Sequence, residues 1–138
     1  MKNLLPTIAL TLLTPVFTFA GEAEIRAAQS SIRNQIEAFL AGDNERAYSY
    51  AAPNIKALFP TLDRFMAMVT RGYQPVYRPR NYAFGKASEP NASTVIQRVL
   101  TTGPNGRSYE AVYTLERQSD GTFRITGVSL KETDALAI

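Results

Sequence analysis

After residue 20, hydrophobic residues recur every three or four positions, which is the spacing of one face of an α-helix. The longest stripe of this kind runs from Ile25 to Leu40. Gly42 follows it as a left-handed helix stop, and Asp43 is placed to cap a second helix that ends before Pro53. These signals predict two consecutive helices joined by a tight turn.

A third helix is predicted to begin after Thr61, which serves as its N-cap, and to end at Gly72. Its inner face carries four apolar side chains, Leu62, Phe65, Met66 and Val69. Residues 54–59, between the second and third helices, are expected to form a short turn. We expect Gly72 to adopt a left-handed conformation, with Tyr73 packing back over the helix end.

After Tyr73 the hydrophobic period changes to two, which is the period of β-strands. Strands are predicted near residues 82–84, 94–101, 109–115 and 123–130, with turns at residues 104–106 and 120–121. Val128 is out of phase with Phe123 and Ile125, which predicts a bulge near Gly127 that bends the last strand. The predicted fold class is α+β: about three helices packed on a bent antiparallel sheet of about four strands, forming a cone with an interior cavity.

The first twenty residues have the pattern of an export signal. Lys2 precedes an apolar run from Leu4 to Phe19, and small residues at Thr18 and Ala20 occupy the positions that a signal peptidase recognises. The alternative is a retained membrane anchor, but the run is short, is broken by two prolines and is followed by no basic cluster. The sequence predicts a signal peptide over residues 1–20, one domain over 21–130, a frayed tail over 131–138, and a periplasmic or extracellular location without a stable membrane anchor.

Composition excludes several classes of function. The chain has 15 basic and 12 acidic side chains, and removing residues 1–20 would take away one lysine and leave 14 and 12, a net charge of +2. This balance does not favour nucleic-acid binding. The sequence contains no His and no Cys, so disulfides, thiol nucleophiles and the usual transition-metal ligands are absent. We expect no metal and no cofactor.

Short blocks along the chain resemble one bacterial family, the domain of unknown function 4864. The matching blocks are residues 35–39, 42–43, 46–48, 51–53, 55, 65–69, 72–76, 78–79, 121–125 and 127–128. The Gly72-Tyr73-Gln74-Pro75-Val76 block is the more specific of these, whereas Phe123 stands where the family pattern leads us to expect Trp. The resemblance implies a fold similar to the nuclear-transport-factor-2-like cone, which also holds ketosteroid isomerases and binding domains, and it implies no activity of its own.

The segment from Arg71 to Lys86 is the best sequence candidate for a ligand site, because it alternates basic and tyrosine residues and contains no acid. The proposed ligand-binding residues are Tyr73, Tyr77, Arg78, Arg80, Tyr82 and Gln97. The alternative is a solvated connection whose arginines pair with Glu89 or Glu110. For Gln97, projection into the cavity and exposure on the outer sheet face both stay open.

These observations favour an exported, non-enzymatic domain that binds a small anionic or amphipathic molecule inside the cone. The alternative is a protein-interaction or structural domain that forms a homodimer across the open sheet face. An isomerase- or lyase-like enzyme is the least favoured class, because Glu37 is the only carboxylate that could reach the interior and it lies off the apolar stripe. No catalytic residue is assigned.

Overall fold

The computed structural model describes residues 3–13 and 21–134, and the predicted cleavage site at 18–20 lies outside this range. Five helices precede a four-stranded sheet in the described chain. The helices are α1 (Glu22–Leu40), α2 (Asn44–Ser49), α3 (Pro53–Leu58), α4 (Leu62–Gly72) and α5 (Gln74–Tyr77). The strands are β1 (Asn81–Asn91), β2 (Thr94–Thr102), β3 (Ser108–Arg117) and β4 (Phe123–Glu132). The α+β fold class predicted from the sequence is confirmed.

The predicted signals between α1 and α2 and at the start of α4 are present in the structure. Gly42 has a φ of 74° and turns the chain after α1. The Asp43 carboxylate accepts a hydrogen bond from the Arg46 backbone N–H at 3.2 Å, and the Thr61 hydroxyl accepts one from Arg64 N–H at the same distance. Each side chain satisfies an N–H group that has no partner within its own helix.

Two short helices, α3 and α5, were not predicted. Residues 54–59 were expected to form a turn, but Pro53 occupies the first turn of α3, where its fixed φ favours a helix and its missing N–H is not needed. Pro75 does the same in α5. The prediction of a left-handed Gly72 was wrong, because α4 ends there without a positive φ and Tyr73 both terminates α4 and starts α5.

The sheet is an antiparallel meander with the strand order β1-β2-β3-β4. The turns at residues 104–106 and 120–121 contain Gly106 and Gly121, both with positive φ. The pairing of β3 with β4 skips Thr126, because Thr114 pairs with Gly127 and Leu115 pairs with Ile125. This confirms the predicted bulge beside Gly127. β4 continues to Glu132, and the Thr133 backbone N–H bonds to Ser108 O at 2.9 Å, beyond the expected domain boundary at 130.

The core lies between the helices and one face of the sheet. Its main cluster joins α1 to the strands: Ala28, Ile32, Ile36, Val76, Val95, Val99, Ala111, Tyr113, Leu115, Phe123 and Ile125. A second cluster joins the helices to one another: Ala38, Phe39, Ala47, Ala51, Phe65 and Val69. Within residues 3–13 and 21–134, no helix is both long enough and apolar enough to cross a membrane.

Candidate functional site: a cavity between the helices and the sheet

A cavity of about 270 Å³ lies between the two core clusters. Its lining comes from all the helices except α2, from the connections on either side of α3, from the α4–α5 junction, and from β3 and β4. The lining residues are Gln35, Phe39, Ala51, Ile55, Leu58, Phe59, Phe65, Met68, Val69, Tyr73, Val76, Tyr113, Ile125, Gly127 and Val128. Leu58 lines the cavity and is also 70% exposed, so the cavity reaches the surface beside α3. Most of this surface is apolar.

Three polar side chains belong to the cavity lining. The Tyr73 hydroxyl donates a hydrogen bond to Val128 O at 3.2 Å, and this bond ties the end of α4 to β4. The Gln35 side-chain N–H donates to Ala47 O at 3.1 Å, while the Gln35 amide oxygen accepts no bond from the described residues. Only 6% of Gln35 is exposed.

Tyr113 differs from Tyr73 in how its hydroxyl is placed. It is 1% exposed, and its hydroxyl makes no hydrogen bond to any residue in the described ranges. Burial raises the pKa of Tyr113 well above that of an ordinary tyrosine, so the hydroxyl stays protonated and able to donate at neutral pH. Tyr113 is therefore a cavity-lining residue whose hydroxyl can donate and has no protein acceptor among the described residues.

No charged side chain is among the cavity-lining residues of the described chain. Glu37 lies outside the cavity, where it is exposed and accepts a hydrogen bond from the Tyr82 hydroxyl at 2.9 Å. Over the same described ranges, no group of three or more acidic side chains is arranged to hold a metal ion. The lining is therefore a concave, mostly apolar surface with two hydrogen-bonding atoms that have no protein partner in the described chain, the Tyr113 hydroxyl oxygen and the Gln35 amide oxygen.

Of the six site residues predicted from the sequence, Tyr73 alone lines the cavity. Tyr77 and Arg78 lie at the end of α5 and hold the end of α1. The Arg78 guanidinium donates to Leu40 O at 3.2 Å and lies 4.9 Å from the centre of the Tyr77 ring, which itself packs edge-on against Phe39. A cation at the C-terminus of a helix offsets the negative end of its dipole, so this pair has a structural use.

Arg80 and Tyr82 lie farther along, at the start of β1. The Arg80 guanidinium donates to Pro104 O at 2.8 Å and so braces the β2–β3 turn. Burial and the hydrogen bond to Glu37 raise the pKa of Tyr82, and the positive charge of Arg33 lowers it by a smaller amount. Both side chains are engaged by protein atoms outside the cavity.

Gln97 is fully buried on the helix-facing side of β2 and is absent from the cavity lining. Its amide N–H groups donate to Gly85 O at 3.0 Å and to Arg98 O at 2.8 Å. Its amide oxygen accepts from Gln29 at 3.0 Å. β1 bulges at this point, because its pairing with β2 shifts between Phe84 and Ala87. Gln97 thus satisfies the backbone groups that the bulge leaves unpaired.

Comparison with known proteins identifies the family of the chain. The family described as "Domain of unknown function (DUF4864)" matches residues 20–138. The chain belongs to this family.

The chain was also compared with solved structures and with curated proteins. A solved structure from Catenulispora acidiphila is 19% identical to the chain, with a TM-score of 0.51, and the match covers 81% of this chain and 94% of that one. At this identity the likeness shows a shared fold. No curated protein matches the chain.

Neither Gln35 nor Tyr113 is among the site residues predicted from the sequence. Tyr113 was placed correctly on the apolar face of its strand, which gave no reason to separate it from the core. Gln35 is next to the apolar stripe of α1, and a polar residue bordering such a stripe is the one sequence signal that could have pointed to it. The contribution of α3 to the lining could not be inferred, because α3 was not predicted.

Proposed function

We propose that this domain binds a small amphipathic molecule whose apolar part fills the cavity. The observation that carries the proposal is the apolar, surface-connected cavity of about 270 Å³ between the helices and the sheet. Ligand sites are typically concave and mostly apolar, with a few polar groups that fix orientation. An engineered cavity of about 150 Å³ accepts benzene, so simple scaling suggests a ligand of roughly ten non-hydrogen atoms.

An anionic ligand is the less favoured alternative. Among the described residues, no Arg or Lys lines the cavity, and an ion buried without a partner is strongly disfavoured. The arginines proposed from the sequence donate to backbone carbonyls elsewhere. Their participation in binding stays a prediction: Arg78→Ala would strongly weaken binding under that interpretation and would leave it intact under the cavity proposal.

Two methionines on α4 provide a matched test of the cavity. Met68 lines the cavity, whereas Met66 packs on the second core cluster without lining it, and both are half-buried. Titration with 4-ethyltoluene, followed by NMR, should perturb the cavity-lining residues of the wild type. We expect Met68→Trp to prevent binding by filling the space, and Met66→Trp to leave it unchanged. Equal binding by both variants would rule out this cavity.

We further propose that the domain acts after export and removal of residues 1–20. The apolar side chains of residues 4–13 support this, because Leu4, Leu5, Ile8, Leu10, Leu12 and Leu13 are each at least 78% exposed and lie outside the core. Hydrophobic residues left in water in this way stabilise no part of the domain. The mass of the protein isolated from the cell tests this directly, since processing after Ala20 leaves residues 21–138.

The surroundings of Gly21 also support processing at this position. A Cβ built on Gly21 would lie 1.9 Å from the Glu89 carboxylate oxygen. Because a residue's nitrogen and Cβ are about 2.5 Å apart, the Gly21 nitrogen lies within about 4.4 Å of that oxygen. Cleavage would turn this nitrogen into an ammonium group beside a carboxylate. Glu89→Gln should then destabilise the processed chain more than the unprocessed chain, and an equal effect on both would argue against this pairing.

A second candidate function is self-association through the sheet face opposite the helices. This face presents Ile96, Leu100 and Val112, all half-buried, beside an ion pair of 2.6 Å between Arg98 and Glu110. A twofold dimer would place the same patch on both copies. Light scattering at high protein concentration should give a dimer mass that Leu100→Arg converts to a monomer. A monomeric wild type would exclude this role.

A further inference from the structure

The polar atoms of the cavity carry information about the ligand beyond its size. Tyr113, which is 1% exposed and lines the cavity, supplies a protonated hydroxyl that is free of protein partners in the described chain. Gln35 supplies a side-chain amide oxygen. The nitrogen of the same amide donates a hydrogen bond to Ala47 O. The lining therefore offers an unused donor at Tyr113 and an unused acceptor at Gln35, in a mostly apolar surface.

We propose that the ligand is an uncharged molecule bearing a hydroxyl group, such as a small phenol or alcohol, and that Tyr113 and Gln35 recognise this hydroxyl. The inference rests on the proposed function of the cavity. A hydroxyl can accept from Tyr113 and donate to Gln35, whereas a carbonyl or ether can only accept. An ammonium or carboxylate group would be buried without an opposite charge.

Tyr73 does not share this role, although it lines the same cavity. The hydrogen of its hydroxyl is already donated to Val128 O, so Tyr73 could donate to a ligand only if that bond were displaced. The two tyrosines thus form an internal comparison: both line the cavity, but Tyr113 alone of the two has an unused hydroxyl hydrogen in the described chain.

Three ligands of similar size separate the possibilities: 4-ethylphenol, 4-ethyltoluene and 4-ethylbenzoate. Their dissociation constants would be measured by calorimetry on the protein covering residues 21–138. We expect 4-ethylphenol to bind about tenfold more tightly than 4-ethyltoluene, which lies within the net contribution of the two proposed hydrogen bonds. We expect 4-ethylbenzoate to bind more weakly than either.

Two variants assign the preference to a residue. Tyr113→Phe should reduce the ratio between the dissociation constants of the toluene and the phenol to about threefold, because only the bond to Gln35 remains, while Tyr73→Phe should retain the tenfold ratio. Binding of 4-ethyltoluene to Tyr113→Phe at wild-type affinity would show that the variant keeps a folded cavity.

The outcomes distinguish this inference from the proposed function. If 4-ethyltoluene binds as tightly as 4-ethylphenol, hydroxyl recognition is overturned and the apolar cavity stands. If 4-ethylbenzoate binds most tightly, the ligand is anionic and the inference fails. If none of the three binds, the cavity function itself is wrong. A phenol preference in Tyr113→Phe as large as that of the wild type would also overturn the assignment to Tyr113.

Discussion

The Tyr73 hydroxyl donates a hydrogen bond to the Val128 carbonyl oxygen, 3.2 Å away, and thereby connects the end of α4 to the bent last strand. Tyr73 lies at a junction where one helix ends and another begins, and Val128 follows the bulge at Thr126. The bond joins the two sides of the cavity wall. Tyr113, on the same wall, has no such partner among the described residues.

This contrast predicts opposite effects on stability in the unliganded protein. Tyr73→Phe removes a made hydrogen bond and leaves Val128 O without its partner, so the free energy of unfolding should fall by about 1 kcal/mol. Tyr113→Phe removes a buried hydroxyl that has no protein partner, so the free energy of unfolding should be unchanged or higher. Urea denaturation of both variants checks this. A loss for Tyr113→Phe as large as that for Tyr73→Phe would contradict the assignment.

Two glycines provide a matched test of backbone conformation. A Cβ added to Gly72 or to Gly42 would meet nothing within 4 Å, but only Gly42 has a positive φ. Gly72→Ala should raise the free energy of unfolding by about 0.5–1 kcal/mol, because alanine restricts the unfolded chain and suits a helix. Gly42→Ala should lower it by a similar amount, since alanine is strained in the left-handed region. The same sign for both, in thermal denaturation, would contradict this geometry.

The three hydrogen bonds of Gln97 predict a large stability effect far from the cavity. Gln97→Leu would leave two backbone carbonyls and the Gln29 amide without their partner, so we expect a loss of about 3 kcal/mol. Gln29→Leu removes only one of these bonds at a half-buried position and should lower stability by about 1 kcal/mol. Guanidinium denaturation measures both. A loss for Gln97→Leu no greater than that for Gln29→Leu would mean that the bulge does not depend on this side chain.

The Tyr82–Glu37 bond predicts a pH effect at high pH. The pKa of Tyr82 is raised in the folded protein by burial and by Glu37. The corresponding stabilisation is therefore fully present below the unfolded tyrosine pKa of about 10 and is lost as the pH rises through the folded value. Glu37→Gln should lower the pKa of Tyr82 in a ¹³C NMR titration. An unchanged titration would show that Glu37 does not influence this hydroxyl.

Local signals allowed much of the fold to be predicted from the sequence. Asp43 and Thr61 cap helices through bonds that depend only on neighbouring residues, and the phase slip before Val128 located the bulge. The short helices were missed because Pro53 and Pro75 are equally compatible with a turn and with a first helical turn. Tertiary packing decides whether each of these prolines begins a helix or lies in a turn.

The cavity could not be predicted to the same extent. Its lining gathers a few residues from each of many separate parts of the chain, and whether the Tyr113 hydroxyl finds a partner depends on how these parts pack together. Charge and aromatic content drew attention to Arg78 and Arg80, but sequence does not tell whether an arginine faces a cavity or a backbone carbonyl. Both arginines bond to carbonyls here. Tyr73 was selected because it lies in the basic and tyrosine-rich segment from Arg71 to Lys86, and of the six predicted site residues it alone lines the cavity.

The most direct test of the cavity account is native mass spectrometry of the protein purified from its own cells, comparing the wild type, Met66→Trp and Met68→Trp. We predict one reproducible added mass on the wild type and on Met66→Trp, and none on Met68→Trp, whose larger side chain would fill the cavity. A wild type without added mass, or an added mass retained equally by Met68→Trp, would contradict the claim that this cavity holds a ligand.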